Sequence, residues 1–290
     1  GSVQGVRAQT PQGEKVFRGK RVLITTGGYA NNPELFRDLI GQPTYTTGTY
    51  PSNLGKGLEL ALSAGGMLQG QELHRSGTGS ILNAASYPTK VYARFETRPQ
   101  AREPWEIWVN NEGDRFIRED EPIQETRAAA LVEQDKFRYA IVFDSDIFES
   151  SPPGIPRWSR EDMRNHFNSH PMFHKADSLD DLAKLAGIKA SGLKRSVAEY
   201  NRCVDKGSDD FGRVHFPSKI DKGPFYAVVH HGTSATSSVG IVVDDEFRVV
   251  RENGESISNL YAAGEVLGSG VSLGAVFTPG MMLTPALAIG

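Results

Sequence analysis

A short β-branched strand that ends in two glycines constrains this chain more than any other feature. Residues 21–28 read Arg-Val-Leu-Ile-Thr-Thr-Gly-Gly, and this apolar, β-branched run predicts a strand. Because glycine has no Cβ, the pair allows a sharp turn and a close approach of the backbone to another group. A helix is predicted directly afterwards, near residues 32–39, with Pro33 in its first turn. This part of the chain therefore has the strand–turn–helix pattern of an α/β domain.

The two ends of the chain share this character, whereas the middle differs from them. Residues 1–76 and 221–290 each resemble parts of an α/β nucleotide-binding domain, and residues 77–220 carry a hairpin and several helices typical of an α+β region. Each end alone is too small to bury a good core, so we expect the two to pack together around the insertion. The predicted elements of the middle are a hairpin over 105–117, a strand over 138–143 and helices over 126–133, 178–185 and 191–203.

Composition excludes several classes of protein. The 290 residues include 32 basic and 35 acidic side chains without a basic block, which argues against a nucleic-acid partner. The single cysteine, Cys203, excludes a disulfide framework and a cysteine-based metal site within one chain. It is expected to be a buried, inert thiol. It also fits a reducing compartment, and because no leader is visible at the start of the sequence we expect a cytoplasmic protein.

The last 25 residues, 266–290, contain no charged side chain and are long enough to cross a bilayer. They are also interrupted by four glycines before Leu283 and by Pro279 and Pro285, so that a lipid-embedded backbone would have unsatisfied polar groups. We therefore expect no membrane span here, and instead a buried, glycine-rich wall beside a large uncharged ligand.

Six segments of the chain resemble, in the same order, the FAD-dependent flavoproteins related to fumarate reductase and succinate dehydrogenase. Their strand with an "ATGG" turn and their "GLYAAGE" loop resemble the first and last of these segments, and their "VN–GxRF" hairpin resembles the third. A further segment at 280–286 resembles the terminal helix of 3-ketosteroid dehydrogenases. The six segments are Val22–Asn32, Gly55–Gly65, Val109–Phe116, Gly207–Arg213, Gly223–Ala227 and Asn259–Glu265.

The resemblance implies a fold and a cofactor. It implies an α/β FAD-binding domain of the glutathione reductase type, built from 1–76 and 221–290, with 77–220 as an inserted α+β capping domain. Members of the family begin with a GxGxxG turn that binds the pyrophosphate at a helix N-terminus, and this sequence has none. We therefore expect the chain to be the C-terminal portion of a longer flavoprotein, an FAD-binding domain incomplete at its N-terminus. Alone, it is expected to bind FAD weakly or not at all.

Three groups of residues are predicted to contact the flavin on the basis of this resemblance. The turn after the first strand could offer its backbone amides, although a plain strand-to-helix turn is the alternative. A carboxylate at the end of a later strand could accept hydrogen bonds from the ribityl hydroxyls, or could be a solvated loop acid. The start of the final helix could face the flavin ring, or could be a surface loop. The turn consists of Thr26, Gly27 and Gly28, and the carboxylate is that of Glu265, next to Gly264. The start of the final helix consists of Gly280, Met281, Met282 and Leu283.

Two adjacent histidines, His230 and His231, lie where the family carries a similar pair beside the substrate. Neighbouring residues on a strand point to opposite faces, so at most one would normally face the site. We favour His231 as a catalytic residue and place His230 among the substrate residues, with ordinary strand histidines as the alternative. No metal site is predicted, since the two side chains diverge and no third ligand is recognisable.

The arginines that bind a dicarboxylate in the family's fumarate reductases have no counterparts at the matching positions. These positions fall at Ile123 and Phe277, and Arg127 lies one helical turn after the first of them. Arg127 is retained as a candidate acid, with a solvated helix arginine as the alternative. Val276 and Phe277 suggest an apolar substrate face, and a buried carboxylate would lack partners there.

The resemblance therefore implies an FAD-dependent oxidoreductase that acts on a CH–CH bond beside the carbonyl group of a hydrophobic ketone or enone. Hydride transfer to or from the flavin would be paired with proton transfer at the neighbouring carbon. The alternative is a truncated, non-catalytic domain that binds neither FAD nor substrate alone. The sequence leaves the electron acceptor and the direction of the reaction open.

Overall fold

The computed structural model describes residues 2–233 and 236–275, together with Leu283, Leu287 and Ala288. The chain divides into two compact units. The first unit comprises residues 1–43, 47–75 and 234–290, and the second comprises 44–46 and 76–233.

The regular elements are mostly short strands and helices. Most strands have two to four residues, and the longest helix has 17 residues. In chain order they are β1 (Gly5–Thr10), β2 (Gly13–Arg18), β3 (Val22–Ile24), α1 (Pro33–Ile40), α2 (Lys56–Ser63), β4 (Leu68–Gln69), β5 (Ser80–Leu82), β6 (Val91–Arg94), β7 (Ile107–Val109), α3 (Gln124–Val132), β8 (Arg138–Asp144), α4 (Ser145–Ser150), α5 (Arg160–His166), β9 (Phe173–Ala176), α6 (Leu179–Ala186), α7 (Ala190–Lys206), β10 (Phe225–His231), β11 (Gly240–Ile241), β12 (Arg248–Val250), β13 (Ser256–Ala262) and α8 (Ser269–Leu273).

A three-stranded sheet of order β12–β13–β3 is the frame of the first unit. The strand predicted at 21–28 is β3, and it pairs in parallel with β13, with Leu23 opposite Tyr261. Because parallel strands have their carboxyl ends at the same edge, the glycine turn after β3 and the loop after β13 emerge side by side. A β1–β2 hairpin and the short β4–β11 pair complete the strands described in this unit.

The helix after the glycine turn is formed by local signals in the sequence. The side chain of Asn32 accepts a hydrogen bond from the backbone N–H of Leu35, and Pro33 occupies the first turn, where its missing N–H has no cost. Gly41 ends the helix in the left-handed conformation. The prediction of a helix near 32–39 is confirmed by α1, which covers Pro33–Ile40.

A four-stranded antiparallel sheet of order β7–β8–β10–β9 is the frame of the second unit. Helix α6 packs against β9 and β10, and its side-chain cap is Ser178, which accepts a hydrogen bond from the backbone N–H of Asp181. The strand predicted over 138–143 is β8, and the helices predicted over 126–133, 178–185 and 191–203 are α3, α6 and α7. An aromatic layer that includes Phe143, Phe148 and Tyr226 fills the other side of β8 and β10.

The structure differs from the sequence-based division of the chain in assigning residues 44–46 to the second unit and, more extensively, in where the chain returns to the first unit. The final segment was expected to start at residue 221, but β10, which covers Phe225–His231, lies between β8 and β9 in the sheet of the second unit. Ala227 and Val228 are fully buried and pair with both β8 and β9, so this strand cannot be separated from that sheet. The return to the first unit follows at residue 234. The helix predicted over 281–289 lies mostly outside the described residues.

Within the described part of the chain, none of the helices combines the length and the apolar character needed to cross a bilayer.

Candidate functional site

A cleft of about 560 Å³ opens in the first unit along β3 and β13 and extends past their carboxyl ends. Three of the residues predicted to contact the cofactor line it, namely Gly27, Gly264 and Glu265. The parallel pairing of the two strands explains why residues more than 230 positions apart meet at one edge. The other lining residues are Arg21, Leu23, Thr25, Glu246, Phe247, Tyr261 and Ala263.

The two glycines of the cleft adopt a backbone conformation that favours glycine. Gly27 has φ of 74° and Gly264 has φ of 82°, both in the left-handed region. A Cβ on Gly264 would meet nothing within 4 Å, so the backbone there faces open space. A Cβ on Gly27 would come within 2.5 Å of the side-chain oxygen of Asn53, so this turn packs closely on its inner side.

The Glu265 carboxylate is held by neutral donors. The Nδ2 amide of Asn53 donates to Oε2 at 3.3 Å, and Ser237 donates to Oε1 from both its backbone N–H and its hydroxyl, each at 3.3 Å. Among the described residues no cation forms an ion pair with this carboxylate. The Glu265 carboxylate therefore has only neutral partners in the described structure and lies at the wall of an open cleft, where it can accept further hydrogen bonds.

A buried tyrosine supports this arrangement from behind. The backbone N–H of Tyr29 donates to the Ser237 hydroxyl at 2.9 Å, and the Tyr29 hydroxyl accepts from the backbone N–H of Val239 at 3.2 Å. Burial raises the pKa of Tyr29, which keeps its phenol neutral. The tyrosine thus links the segment after Gly28 to the segment that carries Ser237.

Two other predicted cofactor residues pack inside the first unit rather than lining the cleft. A Cβ on Gly28 would lie 1.9 Å from the Ser237 hydroxyl and 2.7 Å from Oε1 of Glu265, so its small size makes room for these side chains. The Thr26 side chain points toward α2, because a Cβ on Gly57 would lie 2.1 Å from its Oγ1. Their cofactor contacts remain a prediction.

The residues of the cleft fit a nucleotide cofactor. A carboxylate is an acceptor only, and it suits the hydroxyl donors of a sugar or polyol. Leu23, Phe247 and Tyr261 supply apolar surface for a ring system, and the open backbone at Gly264 allows close approach. Gly27, Gly264 and Glu265 are the residues that would hold such a group.

The two histidines lie in the second unit on opposite faces of β10, as strand geometry requires. The His230 ring stacks on Tyr139 with centroids 5.0 Å apart and lies edge-on to Phe95. The His231 ring lies edge-on to Tyr45 at 4.9 Å. Burial lowers the pKa of His230 to about 3 and that of His231 to about 4, so both rings are neutral near pH 7.

Arg127 lies in α3, where only 3% of its surface is exposed. Its Nη1 donates to the backbone carbonyl of Glu121, and its Nε has no hydrogen-bond partner in the described structure. No carboxylate forms an ion pair with it among the described residues, and burial lowers its pKa. Arg127 is therefore not the solvated helix arginine of the alternative interpretation. It is a buried guanidinium with hydrogen-bonding capacity to spare.

Ile123, the position matched to one of the family's arginines, lies at the start of α3. Ile123 precedes the first turn of α3 and is 55% exposed, so no charged group occupies the place one turn before Arg127. Arg127 and His230 both lie near Tyr139, which is fully buried. His231, the favoured catalytic histidine, is on the other face of the sheet.

Five of the residues predicted to contact the cofactor or the substrate lie outside the described residues, namely Val276, Phe277, Gly280, Met281 and Met282. Leu283 is described and is 64% exposed.

The sequence interpretation missed the residues that orient the carboxylate. Asn53 is 212 positions from Glu265, and Ser237 lies in a segment without a recognisable motif. Tyr139, which lies near both Arg127 and His230, was predicted only as part of the strand over 138–143. No short-range pattern marks any of these positions, because their roles arise from contacts between distant segments.

A model of the FAD binding domain family matches residues 1–275. The chain is 29% identical over 279 residues to a fumarate reductase (cytochrome) of Shewanella frigidimarina, with 92% of this chain and 44% of that protein covered. It is 25% identical over 284 residues to a vinyl phenol reductase of Lactiplantibacillus plantarum, with 91% of this chain and 57% of that protein covered. The chain thus spans about half the length of these two relatives.

A solved structure with the same fold is that of the 3-ketosteroid Δ1-dehydrogenase from Sterolibacterium denitrificans in complex with 1,4-androstadiene-3,17-dione. The TM-score is 0.70 at 22% identity, and the match covers 99% of this chain and 54% of that one. The predicted resemblance and the mixed α/β FAD-binding fold are confirmed. The chain belongs to the FAD binding domain family.

Proposed function

We propose that this chain is part of an FAD-dependent oxidoreductase that acts on a CH–CH bond beside the carbonyl group of a hydrophobic ketone or enone. The observation that carries the proposal is the cleft of the first unit, where Gly27, Gly264 and Glu265 meet at the carboxyl ends of two parallel strands. When bound, FAD accepts or donates the hydride. Gly27 and Gly264 would bind the cofactor through their backbone, and Glu265 would accept hydrogen bonds from its hydroxyls.

Arg127 is the residue of the second unit that we assign to the substrate. A buried guanidinium without a carboxylate partner can donate to a neutral carbonyl oxygen, which draws electron density from the neighbouring carbons. The same side chain could move a proton at the carbon beside the carbonyl. His231 and His230 are neutral over the physiological range and remain candidate proton-transfer and substrate-contact residues.

The substrate class is supported by the absence of an arginine at position 123 and by the phenylalanine at 277 in the sequence. Two of the similar proteins are a vinyl phenol reductase and a 3-ketosteroid dehydrogenase solved with an uncharged diketone. A third is a fumarate reductase, so a dicarboxylate is the competing substrate. We propose a small-molecule partner and a cytoplasmic location, the latter resting only on the single cysteine.

The test is an anaerobic assay of a longer chain that contains residues 1–290, because these residues alone are expected to bind FAD weakly or not at all and to be inactive. The assay contains FAD, reduced methyl viologen and either 2-cyclohexen-1-one or fumarate. We expect viologen oxidation with the enone in preference to fumarate. Arg127→Ala should lower kcat with the enone by at least 100-fold, within the range of general acid–base effects of about 10²–10⁴. Arg127→Lys is the matched variant that keeps the charge.

Fumarate turnover within the usual enzyme range of about 1–10³ s⁻¹ would contradict the proposed substrate class. A longer chain that purifies without flavin absorbance and without activity would support the non-catalytic alternative.

A further inference from the structure

We propose that Asn53 is a positioning residue that, together with Ser237, holds the Glu265 carboxylate toward the cleft for binding the hydroxyl groups of the cofactor. This inference rests on the proposed function, because it assumes that the ligand of the cleft is FAD. It concerns a residue that lies on neither of the two strands whose ends form the cleft.

Asn53 contacts both segments that form the cleft, the turn after β3 and the loop after β13. Its Nδ2 donates to Glu265, which follows β13, and its Oδ1 occupies the space beside Gly27, which follows β3. A Cβ on Gly27 would approach that oxygen to 2.5 Å, so the glycine turn and the amide are fitted to each other. One side chain therefore sets the spacing between the backbone turn and the carboxylate.

The backbone of Asn53 is itself fixed. Its N–H donates to the carbonyl of Tyr50 at 2.9 Å, and its carbonyl accepts from the N–H of Asn31 at 2.9 Å. The residue is buried, so its amide has few alternative positions. An immobile donor costs little conformational entropy when the carboxylate binds a ligand.

A count of hydrogen-bonding sites shows what this arrangement leaves available. An ionised carboxylate has about four lone-pair sites. Ser237 donates twice to Oε1, and Asn53 donates once to Oε2, so acceptor capacity remains on Oε2. The donors are neutral, so they form no ion pair with the carboxylate, whereas a lysine at position 53 would form one.

The test compares Asn53→Asp, Asn53→Ala and the control Asn253→Asp. Asn253 lies in an exposed turn of the first unit, where its side-chain oxygen accepts from the N–H of Glu255, as an aspartate would. The control adds the same charge outside the cleft. FAD is titrated into the full chain at pH 7.5 and pH 5, and binding is read from the backbone amides of Gly27 and Gly264 by NMR.

We expect Asn53→Asp to weaken FAD binding about 10-fold or more at pH 7.5, since two carboxylates this close cannot both ionise without repulsion. At pH 5 a proton shared by the pair restores a donor, and most of the affinity should return. Asn53→Ala should weaken binding at both pH values, and Asn253→Asp should not change it. A loss in Asn53→Asp that does not depend on pH would overturn the positioning role.

A second readout separates this inference from the proposed function. The side-chain carboxyl carbon of Glu265 is followed by ¹³C NMR against pH without any ligand. In Asn53→Asp its titration should move to higher pH than in the wild type and in Asn253→Asp. An unchanged titration would overturn the inference even if FAD binds. If a longer chain that contains these residues binds FAD with the wild-type amides unshifted while the Glu265 titration moves, the cofactor assignment fails and the positioning of Glu265 by Asn53 stands.

Discussion

The cleft of the first unit and the buried charge network of the second unit differ in the partners of their charged side chains. In the second unit, Arg213 donates to Glu119 at 2.8 Å, and Arg115 binds both Glu119 and Asp209 at 2.7–2.8 Å. All four side chains are at most 5% exposed. In the first unit, Glu265 has neutral donors and faces open space.

The difference shows that burial of charge alone does not mark a functional site. The network has equal numbers of cations and anions, and the remaining N–H groups of Arg213 donate to backbone carbonyls of Pro104, Glu106 and His215. It has nothing to offer a ligand. Glu265 and, in the second unit, Arg127 retain unused hydrogen-bonding capacity, and this is why we assign them to ligands.

The largest expected effect is the loss of stability when the buried charge network is broken. Arg213→Met leaves Glu119 with one cation and leaves three backbone carbonyls without their donor. We expect a loss of about 3–5 kcal/mol in the free energy of unfolding of the second unit, as for other buried pairs that lose a partner. Urea denaturation measures it, and Arg164→Gln, in an exposed pair with Glu149 and Glu161, should change it little. A small loss for Arg213→Met would show that the network is not a stabilising feature.

A smaller effect comes from the buried histidines of the same unit. The pKa of His230 is about 3 in the fold, below the unfolded value of 6.5, so its neutral form stabilises the protein above pH 6.5 and this stability is lost as the pH falls. The loss should be about 1.4 kcal/mol per pH unit per histidine over that range. His230→Phe keeps an aromatic ring on Tyr139 and should reduce the difference in unfolding free energy between pH 7 and pH 5. An unchanged difference would contradict the assigned pKa.

The smallest expected effect separates stability from ligand binding in the first unit. Gly264 and Gly254 both have a left-handed backbone, and a Cβ on either would meet nothing within 4 Å. Alanine at each position should therefore cost about 1 kcal/mol of unfolding free energy through backbone strain alone. Only Gly264→Ala should also weaken FAD binding, because only Gly264 lines the cleft. Thermal melts and FAD titrations of both variants check this, and equal effects on binding would exclude Gly264 as a cofactor residue.

Local features of the sequence were sufficient for several elements of the fold. The β-branched run before Gly27 became β3, Asn32 and Pro33 began α1, and Ser178 began α6, because each signal acts within a few residues. The placement of β10 could not be predicted, since its membership in the second unit depends on pairing with β8 and β9.

The candidate site was predictable only in part for the same reason. Gly27, Gly264 and Glu265 were found through motifs that follow strands, whereas Asn53 and Ser237 act across long sequence separations. The burial of Arg127 depends on how α3 packs, which helix periodicity alone did not indicate. Contacts that form only after folding therefore carry most of the site's chemistry.

The measurement that tests the central claim most directly is an NMR titration of the chain with FAD, with the backbone amides of Gly27 and Gly264 assigned. The account predicts saturable shifts at these two amides, with an affinity weaker than about 1 μM, equivalent to a binding free energy smaller than about 8.2 kcal/mol. It also predicts that Gly254, outside the cleft, does not shift. FAD that shifts Gly254 equally, or that binds a longer chain containing these residues without shifting Gly27 and Gly264 at concentrations up to about 1 mM, would contradict the assignment of this cleft to the cofactor.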